Sequence, residues 1–279
     1  MLNDEELTAS LTELSHMGDG LILALDTSTR SMTVALMEAG RLIAEKNEMS
    51  DRNHSMHLLP AVQGLLREHE LRPNDLQAIA VGVGPGSYTG VRIGVTAAKT
   101  LAWTLGIPVT GVSSLKALAR GGMDSPDGGK SVPARWVVPL VDARRKQVYT
   151  ALYAAGSGGE PDTIVADCIR PMQAWLDQLL AAYESLSSRD APIEIQFVGD
   201  VEAFDEFADT YRERFGGRLR LNKSPLRAFD IGSLGRARLR RGELDDVHAL
   251  SPNYTQMAEA EVKLLAKQSS GGDGHGGAC

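Results

Sequence analysis

A run of apolar side chains that ends in an aspartate, LILALD at Leu21 to Asp26, leads through the polar turn Thr27 to Arg30 into a second strand-like run, SMTVALM at Ser31 to Met37. Because every position before Asp26 is apolar, neither face of the first run is built to meet water, and it reads as a central strand covered on both sides. The same order returns after a polar, Gly-rich stretch at Gly121 to Ser131. There, an apolar run from Val137 reaches Asp142, the turn Ala143-Arg144-Arg145-Lys146 follows, and QVYTALY continues to Tyr153. A chain of 279 residues has room for two domains of about 100 to 130 residues each. The repeated opening therefore reads as a duplicated α/β domain, with an extension at 1–19, lobes at 20–120 and 132–268, and a disordered Gly-rich tail at 269–279.

Between these landmarks the expected elements alternate. In the first half a hairpin at Glu38-Ala39-Gly40 leads to a third strand over Gly40 to Asn47. A helix over His54 to Glu70 carries Leu58, Leu59, Val62, Leu65 and Leu66 on one broad side, although Pro60 should kink it or mark its true start. A buried strand at Ala78 to Gly84, a helix at Thr89 to Leu105 and a strand at Ile107 to Val112 complete the unit. In the second half, helices are expected at Met172 to Tyr183, Val201 to Phe215, Phe229 to Arg241 and Ala258 to Gln268, with a strand at Ile193 to Val198. A mixed sheet follows from this order, hairpin first and crossovers afterward.

Composition narrows the function classes. Apolar residues make up 43% of the chain, too many for a wholly disordered protein, and 29 Lys plus Arg against 36 Asp plus Glu leave a net charge of -7. Such a balance argues against gripping nucleic acid over the whole surface, and 5% aromatic content argues against extended base stacking. The two cysteines, Cys168 and Cys279, form neither a disulfide framework nor a metal cluster and suit a reducing cytoplasm. The acidic N-terminus does not read as a signal peptide, and no apolar run is long enough to span a bilayer, so a cytoplasmic location away from membranes is expected.

Candidate chemistry concentrates in a few places, each with two readings. Asp26, at the carboxyl end of a buried strand, either orients a metal-bound water or nucleophile or hydrogen-bonds the turn that follows it. GVGPGSYTGVR, Gly82 to Arg92, sets Gly82, Gly84, Gly86 and Gly90 around a strand-to-helix transition. Its exposed amides and helix dipole suit an anion, but it matches neither GxGxxG nor a P-loop and has no lysine. Alternatively, Ser87 or Thr89 caps the helix while Gly90 and Gly94 let another backbone come close. His54 and His57, three apart, lack a third metal ligand nearby, so no metal site is expected. Arg144 and Arg145 either hold a phosphate or RNA backbone or form ion pairs at a turn.

Taken together, LALDTST at Leu23 to Thr29, HSMHLLP at His54 to Pro60, VGPGSYTGVRIG at Val83 to Gly94, VDARRKQVY at Val141 to Tyr149 and SPNYTQMAEAE at Ser251 to Glu261 resemble the TsaB (YeaZ) family. The resemblance covers about residues 20 to 265. It implies an α/β fold of the ASKHA type (actin, sugar kinase, Hsp70): two RNase H-like lobes with mixed sheets flanked by helices. It also implies a noncatalytic role beside TsaD, which transfers a threonylcarbamoyl group from threonylcarbamoyl-adenylate to N6 of adenosine 37 in tRNAs that read ANN codons. The TsaE ATPase joins that assembly, and tRNA is met only within it. No cofactor is expected in the isolated chain, with ATP or ADP left for the complex.

In that family the partner is met through two helices of the N-terminal lobe. The matching positions are His54, His57, Leu58, Val62 and Leu65 on the first and Gly94, Ala97, Ala98 and Leu101 on the second, and the same face should support a homodimer when the partner is absent. Asp26, Gly84, Gly86, Ser87, Thr89, Gly90 and Arg92 form the turn and Gly-rich loop, with no catalytic residue among them. The catalytic sister carries HxxxH after the strand that follows this loop. Here VTGVSSLKALA, Val109 to Ala119, has Ser113, Ser114 and Lys116 but no histidine. The competing reading is an ATP-dependent phosphotransferase or ATPase of the same fold, disfavoured because DTST and DARR replace the Asp-x-Gly of such enzymes. An RNA-binding module would have to rely on local clusters such as Arg236 to Arg241.

Overall fold

The computed structural model describes residues 18–49, 54–123, 135–155, 159–187 and 191–255. The first sheet contains β1 (Leu21–Asp26), β2 (Ser31–Glu38), β3 (Arg41–Met49), β4 (Ala78–Gly82) and β5 (Val109–Val112), in the order β3-β2-β1-β4-β5. β1 is central: it pairs antiparallel with β2 and parallel with β4. The second sheet contains β6 (Arg135–Asp142), β7 (Gln147–Ala154), β8 (Asp162–Pro171), β9 (Glu194–Gly199) and β10 (Leu219–Asn222), in the order β10-β9-β6-β7-β8. Read from its other edge, this is the first order again. Two lobes of one RNase H-like plan, as the twin Asp-ended strands imply, are therefore present.

Helices divide the core into three layers. α1 (His54–Glu68) and α2 (Tyr88–Leu105) cover the outer face of the first sheet. On the outer face of the second lie α4 (Met172–Ser185) and a 3-10 helix (Val201–Phe207) that runs into α5 (Ala208–Arg214). Between the sheets sit α3 (Ser114–Met123) and α6 (Ala228–Arg240). These two are exchanged: α3 follows β5 yet packs on β6, β7 and β9, whereas α6 follows β10 yet packs on β1, β2 and β4. Each sheet is thus covered by a helix from the other half of the sequence.

Small residues make that exchange fit. A Cβ at Gly235 would sit 2.4 Å from the Ala80 Cβ, and one at Gly122 would sit 2.5 Å from Val198, so both glycines let a helix backbone rest directly on a strand. The two helices are joined by Asp230, which is buried and paired with both Arg120 and Arg227.

Several elements depart from expectation for identifiable reasons. α1 continues through Pro60 from His54. The helix expected over Val201 to Phe215 splits, because Val201 and Phe204 are buried at a spacing of three, which suits three residues per turn. β8 and β10 lie at a sheet edge, the first largely exposed and the second only four residues long, so neither carries a buried-strand pattern. α3 contains a Gly-Gly pair that weakens its helical signature. The helix expected over Ala258 to Gln268, most of the 1–19 extension, most of the Gly121 to Ser131 stretch, Cys279 and the 269–279 tail lie outside the described residues.

Gly235→Ala should destabilise the protein by about 1–3 kcal/mol through overpacking against β4, although alanine is the better helix former by roughly 1 kcal/mol. Gly64→Ala on α1, where a new Cβ meets nothing nearer than Glu68 Oε1 at 3.9 Å, should instead stabilise by about 0.5–1 kcal/mol. Urea unfolding of the two variants should give opposite signs.

Candidate functional site

Asp26 ends β1 wholly buried, and three donors occupy its carboxylate. The Ser28 amide and hydroxyl donate to Oδ1 at 2.6 and 2.7 Å, and the Ser114 hydroxyl donates to Oδ2 at 2.5 Å. Ser114 Oγ in turn accepts from the Gly84 amide at 3.0 Å. A single side chain at the start of α3 thus ties the end of β1 to the Gly-rich loop. Burial pushes the Asp26 carboxyl above the ordinary 3.8, against the downward pull of the Ser114 and Ser28 hydrogen bonds. Of the two readings of Asp26, this geometry is that of a turn-holding group.

The loop glycines are accounted for by the same turn. A Cβ at Gly86 would lie 2.3 Å from the Ser28 carbonyl oxygen, and one at Gly90 would lie 2.1 Å from that of Thr27. The Thr27 hydroxyl donates to the Gly90 carbonyl at 2.7 Å, and the Ser87 amide donates to the Ser28 carbonyl at 2.7 Å. Ser87, rather than Thr89, caps α2 by accepting from the Gly90 amide. Gly84 has a φ of +88°, a conformation that L side chains rarely adopt. The loop and the DTST turn are packed backbone on backbone.

The second lobe presents its corresponding turn across a cleft of about 660 Å³. Here Arg144, Arg145 and Lys146 have φ values of +65°, +53° and +58° in succession. The Arg144 amide donates to Asp142 Oδ1 at 2.8 Å, and the Asp142 amide donates to Asp200 Oδ2 at 2.8 Å. Arg144 lines the cleft with Thr29, Arg30 and Thr89. Arg30 approaches Asp142 at 3.9 Å, so charges of both signs meet there.

The expected two-helix interface separates into an inner and an outer side. Leu58, Val62, Leu65, Gly94 and Ala98 are buried against the chain's own sheet. A Cβ at Gly94 would meet Thr27 Oγ1 at 2.5 Å, so the small residues of α2 serve the approach of that helix to β1. His54 is buried too, its Nε2 lying 3.1 Å from the Thr29 carbonyl, while His57 is half-buried beside Glu48. Only His57, Ala97 and Leu101 of the expected set reach the surface. The correction follows from helix periodicity: the stripe that looks small and apolar is the one the sheet needs. Outside it lies a groove of about 550 Å³ between α1 and α2, lined by Leu59, Tyr88, Arg92, Ile93, Ala97 and Leu101. Leu59 and Tyr88 are 46% and 49% exposed, large for apolar groups. Arg92 lies over the Tyr88 ring and donates to its hydroxyl at 3.1 Å.

The TsaD family model, described as tRNA N6-adenosine threonylcarbamoyltransferase, matches residues 44–224. The TsaB protein of Bacillus subtilis, a tRNA threonylcarbamoyladenosine biosynthesis protein, is 38% identical over 249 residues, covering 88% of this chain and 99% of that one. The chain belongs to the TsaB (YeaZ) family. It lies within the wider grouping of the TsaD model as well. Escherichia coli TsaB is 38% identical over 138 residues, 50% of this chain and 57% of its own length. The structure of YeaZ from Pseudomonas aeruginosa superposes with a TM-score of 0.64 at 28% identity, covering 84% of this chain and all but 1% of that one (99%).

Beside this family frame stand residues that the sequence reading left without a role. Asp167 on β8 accepts from Ser113 Oγ at 2.7 Å, from Tyr153 OH at 2.9 Å and from Asn253 Nδ2 at 3.0 Å. It joins both lobes to the segment that follows α6. Ser113 and Ser114 ahead of Leu-Lys-Ala form a helix-start pattern that could have drawn attention to that junction. Asp167 lies on an edge strand with no such signal.

Because folded Asp26 holds its proton more tightly than the unfolded chain does, its contribution to stability is fully present below the ordinary 3.8. It is lost as pH rises through the folded value. Asn at this position has no charge to desolvate and keeps Oδ1 for Ser28. Thermal melts from about pH 4 to 8 should therefore show Asp26→Asn gaining on the parent as pH rises. A melting-temperature difference that moves the other way would contradict the assignment.

Proposed function

We infer that this chain is the noncatalytic partner subunit of a TsaD-type transferase, supporting threonylcarbamoyl transfer to N6 of adenosine 37 in tRNAs that read ANN codons. The observation that carries this is the similarity to Bacillus subtilis TsaB over nearly the whole of both chains. The geometry agrees in two respects. The carboxylate where related folds place chemistry is committed to internal hydrogen bonds. An apolar two-helix groove of the kind that receives another helix pair lies open among the described residues.

The finer parts of the reading belong to the assembly. We propose that the α1–α2 groove is where TsaD docks, and that in its absence two copies of this chain pair through the same face, since an open apolar patch invites isologous contact. TsaE joins the complex with ATP or ADP, tRNA is met there through exposed groups such as Arg144 and Arg145, and the isolated chain needs no cofactor. Among the described residues no helix is long and apolar enough to cross a membrane, which is compatible with work in the cytoplasm.

The test pairs a groove variant with a turn variant. Leu59→Glu puts a charge on an exposed position, so circular dichroism should remain that of the parent. Its affinity for TsaD should fall tenfold or more, about 1.4 kcal/mol, with a parallel loss of tRNA modification read by mass spectrometry. Asp26→Asn should retain both. Steady ATP hydrolysis by the purified chain, abolished by Asp26→Asn, would instead favour the phosphotransferase reading.

A further inference from the structure

Among the described residues that line the α1–α2 groove, a single side chain is charged, that of Arg92. The others are apolar or carry a hydroxyl. Elsewhere in the fold arginines meet carboxylates: Arg120 and Arg227 flank Asp230, Arg238 pairs with Asp245 and Arg241 with Glu160. Arg92 is exposed and pairs with no carboxylate among the described residues. Its contacts are with Tyr88, whose hydroxyl accepts from Nη1 at 3.1 Å and whose ring centroid lies 5.4 Å from the guanidinium carbon.

Tyr88 is itself braced. Residues 244–255 run back over the first lobe as a strap, on which the Asn253 amide donates to the Val83 carbonyl at 2.7 Å and its side chain donates to Asp167 at 3.0 Å. The next residue, Tyr254, packs on Tyr88 with ring centroids 5.3 Å apart. One end of the groove therefore carries a guanidinium held on a supported ring. Tyr88 engages one of its five N–H donors, and the planar fork of the others matches a carboxylate.

A second copy and a different partner surround that group differently. When two copies pair groove on groove, each Arg92 gives up water against a lining that offers no carboxylate among the described residues. Taking a guanidinium out of water without an opposite charge is unfavourable. A partner helix with Asp or Glu at this end of the groove replaces the lost water with charge-assisted hydrogen bonds. One side chain thus disfavours one occupant and favours the other.

We propose that Arg92 is the specificity-determining residue of the α1–α2 groove, selecting a partner whose apolar helix face carries a carboxylate at that end and weakening the pairing of two copies of this chain. The proposal rests on the reading of the groove as the TsaD site and names the chemistry that the partner brings to it.

The test compares the full-length chain with its Arg92→Met variant, which keeps an apolar stem and removes the charge at an exposed position, with circular dichroism as the folding control. Calorimetry should find TsaD affinity at least tenfold lower in the variant. Raising NaCl from about 50 to 500 mM should weaken TsaD binding by the parent more than by the variant. Sedimentation over a concentration series should show the variant associating with itself threefold or more tightly than the parent. Self-association that is equal or weaker in Arg92→Met overturns the proposal, because the charge then does not discriminate between the two occupants. Unchanged TsaD affinity in Arg92→Met overturns it too, and if Leu59→Glu loses binding in the same assay the groove remains the TsaD site. Unchanged TsaD affinity in Leu59→Glu instead removes the groove reading itself.

Discussion

Two helices held between two sheets, each packed on the sheet it does not follow in sequence, are the arrangement on which the rest of this structure depends. α6 caps β1 and β4 while α3 caps β6 and β9. The close approach requires glycine where the helices meet strands and a buried carboxylate, Asp230, between two arginines where they meet each other. Burying that charge is tolerable because both of its neighbours are opposite charges held within hydrogen-bond reach. Exchange gives the two sheets one shared middle layer of buried side chains.

A second contact organises the functional end of the first lobe. Thr27 and Ser28, just after β1, meet the Gly-rich loop so closely that Gly86 and Gly90 cannot carry a Cβ. In folds of this kind the equivalent glycines are easily taken for a phosphate cradle. Here they let one turn seat against another, and Ser114 and Asp26 lock the seat from beneath. The result aims α2 alongside α1, with Leu59 and Tyr88 exposed on their outer sides.

Charge is distributed to match. Burial raises the proton affinity of buried Asp26 and of part-buried Asp167, against the downward pull of the hydroxyl, amide and backbone donors around them. Three exposed basic residues, Arg144, Arg145 and Lys146, follow one another at the β6–β7 turn, each in the left-handed region. Arg144 lines the cleft, which shares Tyr88, Thr89 and Ile93 with the α1–α2 groove.

Much of this was legible before any coordinates. Apolar strands ending in Asp26 and Asp142, each followed by a polar turn and a second strand, gave the two lobes, because a strand buried on both faces must be apolar throughout. The paired helices of the first lobe were visible in their period, and the family in its motifs. Edge strands β8 and β10 were not, since an exposed or very short strand has no pattern to display. The outward side of α1 and α2 was not legible either. A stripe of small and apolar residues looks the same whether it faces a sheet or a partner, and only packing showed that Gly94 and Ala98 belong to β1 while Leu59 and Tyr88 remain open. Sequence determined which segments must be buried, because hydrophobic periodicity is local. Tertiary structure alone decided against what they are buried, because α3 and α6 change sheets and that choice rests on contacts far apart in the chain.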